Sequence, residues 1–255
     1  METGLEGKVV LVTGGAGGIG QAICRAFAAD GAKVVVHYHR SHKEAEKLAG
    51  EIGGIAIKAD LRVPIEANDL IKDCILEMGS LDSCVANSGY YPSENKPIWE
   101  IDEKRWNSTL TSNLGISANT ARSYLSHAKN CGYGSLVFVG STAGIYGEAG
   151  HSDYAAAKGA ITSGLLLSIK NEISGLGSVR VNAVAPGWTL TDKKSEKGLD
   201  DVIIGKAVST MALKKLARPV DVARAVVVLS SGKVSGHITG QIIEVAGGME
   251  GRIID

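Results

Sequence analysis

The sequence lacks long apolar runs, closely spaced cysteines and any excess of one charge. No apolar run approaches the roughly 18 residues that a membrane span needs. The N-terminal METGLEGKVV carries acidic residues and only a short apolar run, unlike a signal peptide. Lysine plus arginine and aspartate plus glutamate balance at 27 each without a basic block, which argues against a nucleic-acid surface. These absences predict a cytoplasmic protein with no membrane or nucleic-acid partner.

The cysteines and histidines do not form a metal-binding pattern. The four cysteines are scattered and include no Cys-x-x-Cys, which favours reduced thiols over a disulfide or zinc framework. His37, His39 and His42 lie close together in the sequence, but no cysteine or acid completes a ligand set. We therefore expect no metal.

Short β-branched runs alternate with helical patterns along the 255 residues, without a linker or a repeat. The predicted strands are Lys8–Thr13, Lys33–Tyr38, Ile55–Ala59, Leu81–Ala86, Ser135–Val139, Val179–Val184 and Gln241–Val245. The predicted helices are Gly18–Asp30, Ser41–Gly50, Ile65–Met78, Glu103–Asn130, His151–Gly175 and Pro219–Ser231, with an exposed loop at Tyr90–Glu100 and a flap or two short helices at Trp188–Leu213. The alternation predicts one α/β domain over residues 1–255, with a doubly wound, seven-stranded, mostly parallel sheet and helices on both faces.

A glycine cluster follows the first predicted strand and opens the first predicted helix. The run is Gly14-Gly15-Ala16-Gly17-Gly18-Ile19-Gly20. Bare backbone amides at a helix N-terminus attract anions, and glycine lets the backbone approach a pyrophosphate. The cluster alone could be a tight turn. Its position between a strand and a helix favours a nucleotide-binding interpretation.

Tyr154 and Lys158 stand four residues apart on one face of a predicted helix. An ammonium group there would favour the ionised phenol and lower its pKa from about 10 toward neutrality. Ser141 follows a predicted strand and could bring a hydroxyl to the same place. Taken alone, the spacing of the tyrosine and the lysine favours a surface helical pair.

The polar and glycine-rich junctions of the chain fall where the predicted strands end. In a doubly wound sheet, ligands bind beyond the carboxyl ends of the strands, where the winding reverses. The junctions there are Gly14–Gly20, Asp60, Asn87–Gly89, Ser141 and Pro186-Gly187. This convergence favours a functional over a surface interpretation of Tyr154 and Lys158.

With these motifs in place, the chain resembles the short-chain dehydrogenase/reductase family in its single-domain form of about 250 residues. The resemblance covers nearly the whole sequence and implies a Rossmann-like fold and NAD(P)-dependent oxidoreduction. The four matching catalytic positions are Asn113, Ser141, Tyr154 and Lys158. The implied cofactor contacts are Gly14, Gly18, Ile19, Gly20, Tyr38, Arg40, Ser41, Asp60, Leu61, Asn87, Gly89, Tyr154, Lys158, Pro186, Gly187, Thr189 and Thr191.

The resemblance implies a role for each catalytic position in hydride transfer between nicotinamide and a ketone or secondary alcohol. Tyr154 would be the general acid/base, and Ser141 would hydrogen-bond the substrate oxygen. Lys158 would lower the pKa of Tyr154 and hold the nicotinamide ribose. Asn113 would anchor a water chain from Lys158 to solvent through a break in its long helix.

The resemblance also implies roles at the cofactor positions. Asp60 would contact the adenine amine, and Asn87 and Gly89 belong to an Asn-Ser-Gly that matches the family's Asn-Ala-Gly. Pro186-Gly187, with Thr189 and Thr191, would hold the nicotinamide carboxamide.

The end of the second predicted strand favours NADP(H), with NAD(H) as the alternative. Relatives that prefer NAD place an acid where this chain has Tyr38, and no acid occurs in His37–Ser41. Arg40 and Ser41 could clamp a 2′-phosphate, with the histidines bordering the adenosine end. Arg40 could instead cap a solvated loop, and the glycine turn lacks the basic residue of many NADP-dependent relatives.

Other features leave two interpretations open. Tyr146 and His151 could line a substrate pocket or simply pack, and Trp188 could close over a substrate or fill the flap. A face of small residues could serve a homo-oligomer, a tetramer or dimer, or packing within the chain; its members are Ala155, Ala156, Ala157, Gly159 and Ala160.

The leading hypothesis is an oxidoreductase acting on a small carbonyl or alcohol. The alternatives are a 3-oxoacyl-(acyl carrier protein) reductase, a sugar dehydrogenase and a catalytically silent dinucleotide-binding regulator. The first would need a basic patch, for which the candidates are Lys193, Lys194, Lys197, Lys214 and Lys215. These lysines could equally be a solvated face.

Overall fold

Seven parallel strands form one sheet in the computed structural model, which describes residues 2–191 and 201–249. The strands are β1 (Val9–Val12), β2 (Lys33–Tyr38), β3 (Ile55–Lys58), β4 (Ser83–Ala86), β5 (Tyr133–Val139), β6 (Ser178–Pro186) and β7 (Ile242–Val245). Their order is β3-β2-β1-β4-β5-β6-β7, and every described pair is parallel. The doubly wound fold is confirmed, and the described sheet is wholly rather than mostly parallel.

The α-helices that connect and follow the strands are α1 (Gly18–Ala29), α2 (His42–Ile52), α3 (Pro64–Met78), α4 (Glu103–Leu110), α5 (Ile116–Cys131), α6 (Ala143–Tyr146), α7 (Ser152–Gly159), α8 (Leu166–Glu172), α9 (Asp201–Ser209), α10 (Pro219–Ser230) and α11 (Gly232–Ser235). A short 3-10 helix covers Ile98–Glu100. No helix in the described ranges is both long and apolar enough to cross a membrane.

Two helices predicted as continuous are each interrupted by a π-helical segment. The first segment, Thr111–Gly115, separates α4 from α5, and the second, Ala160–Leu165, separates α7 from α8. A π-turn inserts one residue without changing the amphipathic character of its flanks, so the apolar pattern gave no sign of it. The predicted flap lies partly outside the described residues, and α9 occupies part of the remainder.

The sheet is buried on both faces because its strands are continuous apolar runs, as in β1 with all four residues buried. One core layer packs α3, α5 and α8 against the sheet, and the other packs α1, α2 and α10 against the opposite face. Tyr124 of α5 is the largest fully buried side chain. Its hydroxyl donates to Asp82 O at 2.8 Å and accepts from Ser135 N–H at 2.9 Å. The phenol therefore links the start of β4 to β5.

We expect Tyr124→Phe to lower the free energy of unfolding by about 1 kcal/mol, because it removes the two hydrogen bonds of a buried hydroxyl and leaves Ser135 N–H and Asp82 O only the 3.2 Å hydrogen bond between them. Urea denaturation measures the effect. The matched control is Tyr133→Phe, since Tyr133 is 44% exposed. Equal stability of the two variants would contradict a structural role for the buried hydroxyl.

Candidate active site

The turn between β1 and α1 presents an uncapped helix N-terminus. Gly17 precedes α1 in an extended conformation without a side-chain cap, and the first turn of the helix contains no acid. The first backbone amides of a helix have no partner within it, and the helix dipole is positive there. This end of α1 is therefore suited to an anion such as a pyrophosphate.

Glycine is required sterically at several positions of the turn. Gly14 has a φ of +62°, which side chains rarely adopt. A Cβ at Gly20 would collide with the Gly14 carbonyl oxygen, and one at Gly18 would lie 2.7 Å from Thr191 Cγ2. Thr191, which was predicted to help hold the carboxamide, thus lies against the glycine turn. Side chains at these glycine positions would fill the space beside the turn. The space left open by the glycines fits the dinucleotide that the sequence implied.

Asn87 joins this turn to the end of β4. Its side-chain amide donates to Thr13 O at 2.9 Å and to Gly14 O at 3.2 Å. The backbone N–H groups of Asn87 and Ser88 both donate to Thr13 Oγ1 at 3.0 Å. The ends of β1 and β4 are therefore held together where the winding reverses.

His37 fixes the turn from the other side. Its Nδ1 accepts from the Gly14 N–H, and its Nε2 donates to Ala59 O, both at 3.0 Å. The Nδ1 acceptor requires a neutral ring, and burial lowers the pKa of His37 to about 4. These hydrogen bonds of His37, which was predicted to border the adenosine end, thus hold the glycine turn in place.

A cleft of about 580 Å³ opens between the glycine turn and the ends of β2, β3 and β4. The predicted residues that line it are Gly14, Gly18, Tyr38, Arg40, Ser41, Asp60, Leu61, Asn87 and Gly89. Ile19 does not line it, since its side chain packs beside the core, and Gly20 is buried against the turn. Ser108, Ser112 and Ile116 line the cleft without having been predicted, because their contribution depends on how α4 and α5 pack.

The basic end of the cleft has an unengaged arginine. Arg40 is exposed, and no described residue hydrogen-bonds its guanidinium. Ser41 precedes α2 without capping it. Tyr38 occupies the position at which relatives that prefer NAD have an acid. Its hydroxyl forms a hydrogen bond with His42 Nδ1 at 2.8 Å.

Asp60 is held by a neighbour within the cleft. Arg62 Nε donates to Asp60 Oδ1 at 2.8 Å and Arg62 Nη2 to Oδ2 at 2.5 Å. The hydrogen bond from Arg62 holds the pKa of this carboxyl well below its usual range. The charge of the predicted adenine contact is therefore already compensated by Arg62, which the sequence analysis did not single out.

Ser141, Tyr154 and Lys158 meet at the carboxyl end of β5. The Ser141 hydroxyl hydrogen-bonds Tyr154, and Lys158 Nζ lies 5.8 Å from the centre of the Tyr154 ring. Lys158 is buried and donates to Val139 O at 2.9 Å. The ring, the hydroxyl and the ammonium group thus lie close together at this end of the sheet.

Burial dominates the ionisation of both groups. It raises the pKa of Tyr154 to about 12 against the opposing hydrogen bond with Ser141, and lowers the pKa of Lys158 to about 8. Burial therefore has the largest effect on the pKa of Tyr154, and the lowering of that pKa by Lys158, whose ammonium is directed at Val139 O, stays a prediction.

Asn113 lies in the π-helical segment and is fully buried. Its side chain accepts from the Tyr90 N–H at 3.2 Å and donates to Tyr90 O at 2.8 Å and Thr109 O at 2.9 Å. A Cβ at Gly89 would lie 2.9 Å from Asn113 Oδ1 and 3.4 Å from Lys158 Nζ. The predicted helix break therefore exists and brings Asn113 beside Lys158.

The turn after β6 closes the other side of the site. Thr142 N–H, next to Ser141, donates to Pro186 O at 3.0 Å, and Gly187 N–H donates to Val245 O at 3.1 Å. Thr189 is buried and donates to Gly187 O at 3.0 Å. The residues predicted to hold the carboxamide thus lie against the turn that carries Ser141.

An ion pair that was not predicted fixes the helix bearing Tyr154. Arg105 of α4 donates from Nε to Asp153 Oδ2 at 2.9 Å, and Thr109 donates to the same oxygen at 2.9 Å. Asp153 is fully buried, so removal of Arg105 would leave an uncompensated charge. In the sequence, the one sign of this ion pair is that Asp153 directly precedes Tyr154.

A second group that was not predicted as a unit is the Tyr91 cluster, which comprises Tyr91, Glu148 and His151. The Tyr91 hydroxyl donates to Glu148 Oε1 at 2.6 Å, and its ring stacks on His151 at 4.5 Å between centroids. The Tyr91 ring also meets Tyr154 edge-on at 5.0 Å. His151 is buried and packs on the ring of Tyr91, and its place in a substrate pocket stays a prediction.

Comparisons with known proteins agree with this geometry. The family model described as short chain dehydrogenase matches residues 8–201. The 3-oxoacyl-[acyl-carrier-protein] reductase FabG of Thermotoga maritima is 32% identical, with 96% of this chain and 98% of that protein covered. The proteins of the same name from Chlamydia muridarum and Staphylococcus aureus are 30% and 31% identical, with 98% and 95% of this chain and 100% and 98% of theirs covered.

The chain belongs to the short-chain dehydrogenase/reductase family, and the resemblance seen in the sequence is confirmed. It is an NAD(P)-dependent oxidoreductase that acts on a CH–OH or keto group of a small molecule.

We expect acid to destabilise the native protein partly through His37. The pKa of this ring falls from its usual 6.5 to about 4 on folding, so the unfolded chain binds the proton more readily as the pH drops through this window. Between pH 7 and pH 5 the free energy of unfolding should fall by about 2 kcal/mol more in the wild type than in His37→Asn, whose oxygen can still accept from Gly14.

Urea denaturation at the two pH values measures this difference. His237→Asn is the control, because His237 is exposed and should follow the wild type. An equal acid effect in wild type and His37→Asn would show that His37 is not the titrating group.

Proposed function

We propose that the protein is an NADP(H)-linked oxidoreductase for a ketone or secondary alcohol, with Tyr154 as the general acid/base. The observation that carries the proposal is the meeting of Ser141, Tyr154 and Lys158 beside the glycine cradle, where cofactor and substrate would adjoin. The bound nicotinamide supplies the hydride chemistry, and the protein supplies position and proton transfer. The cytoplasmic location stays a prediction.

Tyr154 is suited to give a proton to a substrate oxygen. With a pKa of about 12, its hydroxyl remains protonated at neutral pH and can serve as the acid in carbonyl reduction. Ser141, already hydrogen-bonded to Tyr154, would donate to the same substrate oxygen and stabilise its developing charge. Lys158 would hold the ribose hydroxyls and return a proton to Tyr154, with Asn113 positioned to anchor the water path.

The preference for NADP(H) rests on the end of β2. Arg40 has a free guanidinium beside a helix N-terminus that Ser41 leaves uncapped, and both residues line the cleft. A 2′-phosphate would meet a bidentate donor and the positive end of α2 there. Tyr38, which replaces an acid, brings no charge that would repel the phosphate.

A 3-oxoacyl-(acyl carrier protein) reductase is the second candidate, because the matched relatives carry that name. The acidic carrier would need a basic surface. Of the predicted lysines, Lys214 and Lys215 are exposed, while Lys193, Lys194 and Lys197 lie outside the described residues. A sugar dehydrogenase and a catalytically silent regulator remain the further alternatives.

We also propose that the protein forms a homo-oligomer, a dimer or a tetramer. An apolar groove of about 390 Å³ between α5 and α8 includes Leu125, Ile169 and Leu176 and would be covered by a second copy. The predicted small-residue face is used in part within the chain, since Gly159 packs against Gly144 of α6.

Turnover of a panel of ketones, sugars and acyl thioesters with NADPH, read by absorbance, tests the proposed reaction. On the best substrate we expect Tyr154→Phe to lower kcat by about 1,000-fold or more, because the proton donor at the substrate oxygen is lost. Tyr133→Phe, an exposed tyrosine, is the control.

Substantial turnover by Tyr154→Phe would refute the assignment of the acid. Absence of wild-type turnover across the panel, together with NADPH binding measured by fluorescence, would favour the regulator. Selective turnover of acyl thioesters would favour the carrier-linked reductase.

For the cofactor, we expect Arg40→Ala to raise the KM for NADPH by about 10- to 100-fold, because a charge-assisted contact to the 2′-phosphate is lost. The KM for NADH should change little. Arg224→Ala on α10 is a matched control, since Arg224 is exposed and lines neither the cleft nor the apolar groove. An equal effect on both cofactors, or a wild type that prefers NADH, would refute the proposed contact between Arg40 and the 2′-phosphate.

A further inference from the structure

The Tyr91 cluster borders Tyr154, the proposed proton donor. Tyr91 follows Gly89 by two residues at the end of β4, and its ring lies edge-on to Tyr154 at 5.0 Å. Glu148 and His151 belong to the loop between α6, which follows Ser141, and α7, which carries Tyr154. The cluster is thus built from the loops that flank the reacting groups.

The hydrogen bonds of the cluster leave one acceptor unused. The single proton of the Tyr91 hydroxyl goes to Glu148 Oε1, and His151 Nε2 donates to Pro92 O at 3.1 Å. His151 Nδ1 is 3.3 Å from the Tyr91 oxygen and 3.9 Å from Glu148 Oε1. No donor among the described residues reaches Glu148 Oε2, although the Glu148 side chain is only 30% exposed.

The charge of Glu148 also lacks a cationic neighbour. No lysine or arginine in the described part of the chain lies within 4 Å of its carboxylate. Of the other charged groups nearby, Arg105 and Asp153 are paired with each other, and Lys158 donates to Val139 O. Burial is the largest cause of the raised pKa values of Tyr91 and Tyr154. The neighbouring Glu148 raises both pKa values further. A half-buried carboxylate with a free oxygen is a strong acceptor for a donor brought by a ligand.

We propose that the Tyr91 cluster is a specificity subsite that receives a hydrogen-bond donor or cationic group of the carbonyl substrate, such as a hydroxyl, an amine or a protonated ring nitrogen. The inference rests on the proposed function, because it assumes that a substrate carbonyl lies at Tyr154. Glu148 is the acceptor, and Tyr91 both holds its carboxylate and offers an aromatic wall that favours a cation. The same carboxylate disfavours anionic substrates.

A pair of ketones of matched shape tests the subsite. N-methyl-4-piperidone, assayed below the pKa of its amine, carries a cation, whereas 4-methylcyclohexanone is a neutral near-isostere. We expect the wild type to have the higher kcat/KM for the cation. Glu148→Gln should lower the cation-to-neutral ratio of kcat/KM by about tenfold or more, because a charge-assisted hydrogen bond is lost.

Two further variants distinguish the loss of the Glu148 charge from a general disruption of the site. Tyr91→Phe removes the hydroxyl that holds Glu148 and should lower the same ratio by a smaller factor. Glu94→Gln should leave the ratio at the wild-type value, because Glu94 is an exposed acid of the neighbouring loop that pairs with Lys96. A ratio that is equal in the wild type and Glu148→Gln overturns the subsite.

Binding keeps this test separate from the proposed reaction. Dissociation constants of both ketones, measured by ligand-observed NMR with NADP⁺ present, should show the same charge preference in the wild type and its loss in Glu148→Gln. Charge-selective binding without turnover would refute the proposed reaction and leave the subsite standing. Equal binding of the two ketones by the wild type would overturn the subsite even if both are reduced.

Discussion

The parallel direction of the strands is the constraint on which the rest of the structure depends. Because every strand of the described sheet points the same way, the glycine turn, Asn87 and the turn carrying Ser141 all emerge at one edge. The hydrogen bonds from Asn87 to Thr13 and Gly14 join the two central strands at that edge. His37 ties the same turn to the end of β3. The glycine turn and Tyr154, the proposed proton donor, are thus neighbours by topology, although about 140 residues separate Gly14 from Tyr154 in the chain.

The sequence predicted what depends on local chemistry and missed what depends on packing. The β-branched runs identified all seven strands, and the glycine pattern located the cradle, because strand burial and positive φ limit the choice of residues. The π-segment around Asn113 was anticipated only as a family feature, since one inserted residue leaves the apolar period nearly intact. The Arg105–Asp153 pair escaped notice because it joins residues 48 positions apart. Tyr91 was assigned only to an exposed loop, and its contact with Tyr154 appears only when two loops meet.

Tyr154 illustrates why charge proximity alone does not determine ionisation. A lysine four residues on favours the phenolate, but the buried phenol loses more by leaving water than it gains from an ammonium directed at a carbonyl. The same desolvation lowers the pKa of Lys158 to about 8, so its own charge is weakened near neutral pH. Burial therefore favours the neutral forms of both Tyr154 and Lys158. A neutral, hydrogen-bonded phenol is the state required to give a proton to a carbonyl oxygen, and it matches the reductive direction.

The two ends of the site differ in charge, and this difference bears on what each end can bind. At the adenosine end Arg40 has no described partner and Arg62 compensates Asp60, so the local field favours an added phosphate. Near Tyr154 two groups of opposite charge have no ionic partner among the described residues: Lys158, whose ammonium donates to Val139 O, and Glu148, which accepts from the Tyr91 hydroxyl. Beside Glu148 itself the local charge is negative. An anionic substrate group placed there would lose its hydration and face a negative charge, whereas a donor or a cation would gain a partner. The polarity that suits a phosphorylated cofactor at one end therefore suits a neutral donor or a cationic carbonyl compound at the other.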